Sequence, residues 1–237
     1  MRLKGYESYK DSGVEWLGEV PEHWNKIRLR WISKRYAGGT PSKQNSSFWN
    51  NGTIPWLNSG SVNQINITEP SAFITQEAYK NSSAKWVPKN ALVMALAGQG
   101  KTKGMIAQLN IAATCNQSMA AIIPSHFINP RFLFWFLHSN YENIRNMSSG
   151  DNRDGLNLEL LGSIQCPFVP MQEQIAIATF LDRETTKINT LIAEAKKGIT
   201  LLQERRSALI SAAVTGKIDV TKGLDPDVPM KESGLSA

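Results

Sequence analysis

Residues 171–216 read MQEQIAIATFLDRETTKINTLIAEAKKGITLLQERRSALISAAVTG, a stretch without proline and with one internal glycine, Gly198. Two sets of mostly apolar positions recur in it every seven residues and interleave in a three–four spacing. The first set is Leu181, Ile188, Ala195, Leu202 and Leu209, and the second is Ala178, Thr185, Ile192, Ile199, Arg206 and Ala213. This heptad pattern predicts one long α-helix with an apolar seam, as in a coiled coil.

A helix of this length needs a partner helix. About 44 residues at ~1.5 Å each make a rod of roughly 65 Å, longer than a globular domain of ~170 residues is wide. No second long heptad stretch occurs in the chain, so the partner is a second copy or a different subunit. An amphipathic helix packed on another domain is the alternative. The residues predicted to form the dimer contact are Leu181, Ile188, Ile192, Ala195, Ile199, Leu202 and Leu209.

The composition is that of a globular chain. It has 237 residues, of which 41% are hydrophobic, enough for a packed core. No run of 18 apolar residues occurs and the N-terminus MRLKGYESYK lacks the apolar stretch of a signal peptide, so we expect a cytoplasmic protein without a membrane partner. Two cysteines, Cys115 and Cys166, are too few for a disulfide framework or a cysteine zinc site.

The charge is concentrated in one part of the chain. The formal net charge is +6, and residues 1–170 hold 17 Lys and Arg against 11 Asp and Glu, which accounts for the whole excess. A basic globular part favours a polyanionic partner, most simply nucleic acid. Equally basic proteins without such a partner are common, so charge supports this interpretation without establishing it.

Short β-like runs separated by Gly, Asn, Ser and Pro turns fill the region before the long helix. The predicted strands are Ile27–Ile32, Thr53–Leu57, Asn63–Thr68, Ala91–Ala97 and Met119–Ile123. A buried helix is predicted at Pro130–Ser139 with Asn129 as its cap, and a short one at Leu156–Leu161. The predicted fold class is α+β, with a mixed α/β globular domain over residues 1–170, the long helix over 171–216 and a tail over 217–237.

One glycine-rich motif has the composition of a phosphate-contacting turn. AGQGKT at 97–102 resembles a phosphate-binding loop, but Ala95 stands where that pattern requires its first glycine. We therefore interpret it as a turn between strands that exposes Lys101, Thr102 and Lys103 for phosphate contact. An ordinary solvated turn is the alternative.

No catalytic or metal-binding constellation is visible in the sequence. NPRF at 129–132 resembles the N-P-P-[FY] of amino-methyltransferases, but Arg131 replaces the second proline, so it is interpreted as a helix start. The three histidines are widely spaced, and no cluster of His, Cys and carboxylates supports catalysis. We expect a protein that is not an enzyme and holds no metal.

A family resemblance covers nearly the whole chain. The stretches that carry it are YKDSGVEWLGEVPEHW at 9–24, GGTPS at 38–42, IPWLNSGSV at 54–62, NSSAKWVPKN at 81–90, CNQSMAAIIP at 115–124, and the segment that runs from VPMQEQ at 169 to GKIDV at 220. In this order they resemble the specificity subunit of type I restriction–modification systems.

The resemblance implies a non-catalytic subunit that reads double-stranded DNA. In the full-length pattern, two tandem units each consist of a target recognition domain and a long helix, and the two helices pair antiparallel. Each domain reads one half of a split target. The subunit carries methyltransferase subunits, which hold S-adenosylmethionine, and through them the restriction/translocase subunit. No cofactor is therefore expected on this chain itself.

This chain contains one such unit, so the resemblance predicts a half-length form. VPMKESG at 228–234 resembles YKDSG at 9–13 and is interpreted as the start of a second repeat. Two copies would then form a two-fold homodimer that reads a symmetric split site. The alternatives are an enzyme in its own right and an inactive remnant or assembly modulator that occupies methyltransferase subunits.

Loop side chains are the predicted readers of DNA, because Lys and Arg contact phosphates while Asn and Gln pair with adenine. The predicted DNA-binding residues are Lys43, Asn58, Ser59, Gln64, Gln99, Lys101, Lys103 and Arg153.

Overall fold

The structure, a computed structural model, describes residues 4–98, 100–148 and 155–221. Its strands are β1 Tyr9–Asp11, β2 Glu19–Pro21, β3 Asn25–Arg28, β4 Ser33–Ala37, β5 Ile54–Leu57, β6 Asn66–Ile67, β7 Ala72–Ile74, β8 Leu92–Ala95, β9 Ile106–Leu109, β10 Thr114–Cys115, β11 Met119–Pro124 and β12 Gln165–Phe168. Its helices are α1 Leu29–Ile32, α2 Gln76–Lys80, α3 Pro130–Ser139, α4 Tyr141–Arg145, α5 Leu158–Ser163 and α6 Met171–Val214, with 3₁₀ turns at Ser46–Phe48 and Ser59–Asn63. The chain divides into two compact units, residues 1–181 and 182–237.

A five-stranded sheet organises the first unit, in the order β4-β11-β8-β9-β6. Adjacent strands of this sheet are antiparallel, except for the parallel pair β6–β9. Along β8, Leu92 and Met94 join one buried hydrophobic cluster while Val93 and Ala95 join another. The sheet is therefore buried on both faces, which explains why its central strands are continuous apolar runs.

Helix α3 confirms the prediction from the sequence. Asn129 Oδ1 accepts the N–H groups of Arg131 (2.9 Å) and Phe132 (3.0 Å), and Pro130 occupies the first turn. Phe134 and its apolar neighbours are buried in the core. The short helix predicted near residue 156 is present as α5, which begins at Leu158.

The strand predicted over Ile27–Ile32 is wrong beyond Arg28. There β3 ends opposite Gln165 of β12, and the chain enters α1, whose Leu29 and Ile32 are both buried. Residues three apart share a face of a helix and not of a strand, so burying both requires the helical turn. The other predicted strands overlap β5, β6 and β8, which have shorter bounds, and β11, which extends one residue further to Pro124.

Helix α6 confirms the long helix, with 44 residues in one element. Its first turns belong to the first unit, where Gln174 and Ala178 are buried. In the second unit the large apolar residues of its seam are exposed, from 46% at Ile192 to 65% at Leu202. Pairing of this seam with another helix remains a prediction. None of the helices in the described ranges combines the length and the hydropathy needed to cross a bilayer.

Candidate nucleic-acid interface

Several connections leave the central sheet at the same end. Strand β4 ends with Ala37 opposite Ala120, and β8 ends with Ala95 opposite Met119. Antiparallel neighbours turn at a shared end, so the loops that follow β4 and β8 and the turn that precedes β11 are brought together. The segments at this end, called the loop end below, are 38–45, 96–98, 100–104 and 116–118.

Hydrogen bonds fix two of these segments to the rest of the loop end. The hydroxyl of Thr40 donates to the side-chain oxygen of Gln117. The backbone N–H of Asn116 donates to the carbonyl of Leu57 (2.9 Å), which brings Asn58 to the same place. Gln117 is exposed and was not among the predicted DNA-binding residues. The sequence feature that could have identified Gln117 is its place in the turn between β10 and β11.

The GGTPS motif packs tightly at the loop end. A Cβ atom on Gly38 would lie 2.1 Å from the carbonyl oxygen of Cys115, and one on Gly39 would lie 2.4 Å from the backbone of Ser83. Only glycine permits this approach. The motif therefore sets the path of the segment that presents Lys43.

Seven of the eight predicted DNA-binding side chains divide into three groups. The exposed ones are Lys43, Asn58, Gln64 and Lys101. Ser59 is half-buried in the 3₁₀ turn that Asn58 caps by accepting the N–H of Gly60 (2.8 Å), and Gln64 ends that turn. Gln99 and Arg153 lie outside the described residues.

The exposure predicted for Lys103 is wrong. Lys103 is only 5% exposed, and its Nζ donates to Ser148 Oγ at 3.0 Å. The segment 100–104, called the glycine-rich loop below, closes at Gly104 with φ +86°, a left-handed conformation that favours glycine. This closure turns Lys103 toward the protein and leaves Lys101 as the exposed cation of the loop.

A second cluster ties the N-terminal segment to the start of α6. Glu173 Oε1 accepts hydrogen bonds from the hydroxyl of Tyr6 and from Trp24 Nε1 (3.0 Å). His23 Nε2 lies 2.9 Å from Glu173 Oε2. The next residue, Gln174, is fully buried and hydrogen-bonded by both ends of its amide. We call Glu173 and Gln174 the helix anchor.

Burial and hydrogen bonding shift the pKa values of Glu173 and of its partner Tyr6. Burial acts to raise the pKa of Glu173, but the hydrogen bonds from Tyr6, His23 and Trp24 outweigh it and lower that pKa below its ordinary value of 4.5. Burial and the hydrogen bond to Glu173 raise the pKa of Tyr6 to about 12. Glu173 is therefore held as a carboxylate and Tyr6 as a neutral donor.

We expect Glu173→Gln to destabilise the first unit by about 1 kcal/mol near pH 6. The contribution of a carboxylate with a lowered folded pKa is complete above its unfolded pKa and is lost as the pH falls through the folded value. The difference between the variant and wild type in urea unfolding should therefore shrink below pH 4.5. Glu194→Gln, an exposed carboxylate on α6, is the control, and a difference that persists at low pH would contradict the assignment.

The described residues contain no evident catalytic centre. Burial raises the pKa of the Cys115 thiol to about 12, and burial raises that of Cys166 as well although Arg35 opposes it. Neither thiol is poised as a nucleophile. Across residues 4–98, 100–148 and 155–221, no group of three or more His, Cys, Asp or Glu could hold a metal ion.

Comparison with known proteins identifies relatives of one kind. The model of the type I restriction modification DNA specificity domain matches residues 21–201. The specificity subunit of the Escherichia coli type I restriction enzyme EcoR124I/EcoR124II is 30% identical over 209 residues, which are 86% of this chain and 51% of the relative. The specificity subunit of MjaIX from Methanocaldococcus jannaschii is 25% identical over 193 residues, 79% of this chain and 43% of the relative. The chain thus spans about half the length of these curated relatives.

Solved structures agree on the fold. A chain from a study of complex assembly and conformational transition of the type I R-M system superposes with a TM-score of 0.68 at 17% identity, over 86% of this chain and 48% of that one. The HsdS subunit from Thermoanaerobacter tengcongensis superposes with a TM-score of 0.57 at 18% identity, over 77% and 41%. Because the domain model matches most of its length, this chain belongs to the type I restriction modification DNA specificity family.

Proposed function

We propose that this chain is a non-catalytic DNA sequence-recognition subunit of a type I restriction–modification complex. The observation that carries the proposal is the match of residues 21–201 to the DNA specificity domain. The exposed Lys43, Lys101 and Gln117 at the loop end, with Asn58 held next to them, support it. Because DNA is the proposed ligand, we also propose a cytoplasmic location.

The exposed side chains of the loop end, and those at the two ends of the 3₁₀ turn Ser59–Asn63, suit two kinds of DNA contact. Lys43 and Lys101 are exposed on loops and would contact phosphates, which position a protein on the duplex. Asn58, Gln64 and Gln117 are exposed amides that can donate to and accept from base edges in the major groove. Specificity would come from the amides, while the lysines would make the affinity depend on salt.

Methyltransferase subunits are the proposed protein partners, with the restriction/translocase subunit joined through them. The matched relatives are specificity subunits of type I restriction enzymes, and a similar structure comes from a study of complex assembly in such a system. S-adenosylmethionine would then be bound by the methyltransferase and not by this chain.

A second copy of this chain is the proposed partner of α6. Ile188, Ile192, Ile199, Leu202 and Leu209 are each about half exposed or more. Burial of such side chains against a matching seam is the ordinary source of coiled-coil stability. A two-fold antiparallel pair buries the same seam twice and brings the two recognition domains to opposite ends of the helix pair.

An apolar groove beside the start of α6 supports the antiparallel arrangement. The groove has a volume of about 390 Å³, and its lining includes Trp24, Trp135 and Leu181. In an antiparallel pair the last turns of the partner helix reach the first turns of α6. Those last turns carry Ile210, 56% exposed, and Val214, 77% exposed, which could cover the groove.

The proposal predicts the form of the DNA target. Selection from random duplexes with the purified chain, and in parallel with the chain bound to a type I methyltransferase subunit, should enrich one short sequence in two inverted copies at a fixed separation. Identical domains related by a two-fold axis read identical half-sites. Sequencing of the enriched duplexes measures both the repeat and its spacing.

Other outcomes of the selection separate the parts of the proposal. Two unrelated halves would reject the homodimer while keeping DNA recognition. A lack of enrichment in both arms would reject DNA recognition and favour an inactive remnant or assembly modulator.

A further inference from the structure

The carbonyl groups of the glycine-rich loop are held by side chains of α4. Arg145 Nη2 donates to the carbonyl of Gly100 at 2.6 Å, and its Nη1 donates to that of Lys103 at 3.0 Å. The hydroxyl of Tyr141 donates to the carbonyl of Lys101 at 2.6 Å and accepts from Arg145 Nη1 at 3.1 Å. Two side chains therefore hold three of the five carbonyls of this loop.

Two further contacts pack the glycine-rich loop against the protein. The buried ammonium of Lys103 donates to Ser148 Oγ at 3.0 Å. At Gly104, a Cβ atom would lie 3.3 Å from the Cα of Arg145, so the loop backbone rests directly on α4. The inner side of the loop is thus packed against protein, and the Lys101 side chain remains exposed.

The contact of Arg145 with two carbonyl groups at once requires an arginine. Its planar guanidinium presents donors in fixed directions, so one side chain can hold two carbonyls that are three residues apart. A lysine at this position keeps the positive charge but loses the fixed fork. Charge and geometry at residue 145 can therefore be separated by substitution.

We propose that Tyr141 and Arg145 are positioning residues for DNA contact, which hold the glycine-rich loop so that Lys101 meets a phosphate. This inference rests on the proposed function. Lysine on a flexible stem contacts phosphate as a point charge, so the place of its ammonium depends on how firmly its backbone is held. Lys103 has an internal role in this arrangement and does not contact DNA.

The test measures duplex affinity as a function of salt, with the sequence enriched in the selection described above. Between about 50 and 200 mM salt, Lys101→Met should reduce the slope of log affinity against log salt by about one. Arg145→Lys should give a similar reduction although it conserves charge, and Tyr141→Phe a smaller one. The double variant Lys101→Met/Arg145→Lys should be no weaker than Lys101→Met alone, because a mispositioned lysine and a missing lysine remove the same contact.

Lys34→Met is the matched control, since Lys34 is exposed and pairs with Ile123 at the end of β4 away from the loop end. It should leave the slope unchanged. Hydrogen exchange in the free protein gives a second readout, in which Tyr141→Phe and Arg145→Lys should exchange faster in the glycine-rich loop while the unfolding midpoint is retained.

Two different failures are distinguishable. If wild type binds its selected duplex but Arg145→Lys keeps the wild-type slope, or if its effect adds to that of Lys101→Met, the positioning role is wrong and DNA recognition stands. If wild type shows no sequence-dependent, salt-dependent binding, the proposed function fails and the inference fails with it.

Discussion

Replacement of Ile199 and Leu202 by glutamate should convert the chain from dimer to monomer at micromolar concentration. Both are seam residues in the middle of α6, and they are 56% and 65% exposed in the single chain. Each contributes about 1.5–3 kcal/mol when fully buried, and a symmetric dimer loses four such contacts. Placing unpaired carboxylates in the buried seam carries a desolvation cost as well. The dimer should weaken by at least about a thousandfold, a change that light scattering of the intact chain can measure.

Leu201→Glu is the matched control for this experiment. Leu201 is 55% exposed and stands between the two seam positions, on a side of the helix that the heptad pattern leaves out of the contact. It should leave the dimer intact. A wild-type monomer, or a Leu201→Glu variant that dissociates as readily as the double variant, would contradict homodimerisation through the seam.

Gln174→Leu should destabilise the first unit by about 3 kcal/mol. Gln174 is fully buried, and its Nε2 donates to the carbonyls of Phe127 (3.0 Å) and Val169 (2.9 Å). Its Oε1 accepts the backbone N–H of Asn129 at 2.7 Å. Leucine fills a similar volume but removes all three hydrogen bonds. A buried group left without its partner, such as the carbonyl of Val169, costs about 1–3 kcal/mol, and such costs are not fully additive.

Tryptophan fluorescence can follow this loss in urea, since all seven tryptophans precede residue 171 and so report on the first unit. Gln172→Leu makes the same chemical change two residues earlier at an exposed position and should shift the midpoint little. Equal effects of the two substitutions would show that the buried amide is not what holds the start of α6.

The elements that could be predicted from the sequence are those fixed by neighbours along the chain. The capping of α3 depends on Asn129 and the two residues whose N–H groups it accepts, all within three positions. The length of α6 follows from a local period and the lack of proline in residues 171–216. Strand positions were predicted less well, as at Arg28, because pairing with β12 sets where β3 ends.

The candidate site was predicted only in part, for the same reason. The exposure of Lys43 and Lys101 agreed with their turn-rich sequence. The convergence of their loops depends on the register of β4, β8 and β11, which no local pattern specifies. The burial of Lys103 depends on Ser148, 45 residues further along the chain. The composition of the glycine-rich segment alone therefore suggested that Lys103 is exposed for phosphate contact.

The helix anchor shows which features of α6 follow from local sequence and which depend on contacts with distant residues. Local periodicity and propensity are enough to establish that residues 171–214 form a helix with an unpaired apolar seam, because each turn depends on residues three and four positions away. The bonds that hold its first turn join Glu173 to Tyr6 across 167 residues and Gln174 to Asn129 across 45. Such contacts exist only after the strands have paired and the core has closed. They therefore follow from the tertiary structure and could not be read from the order of the residues.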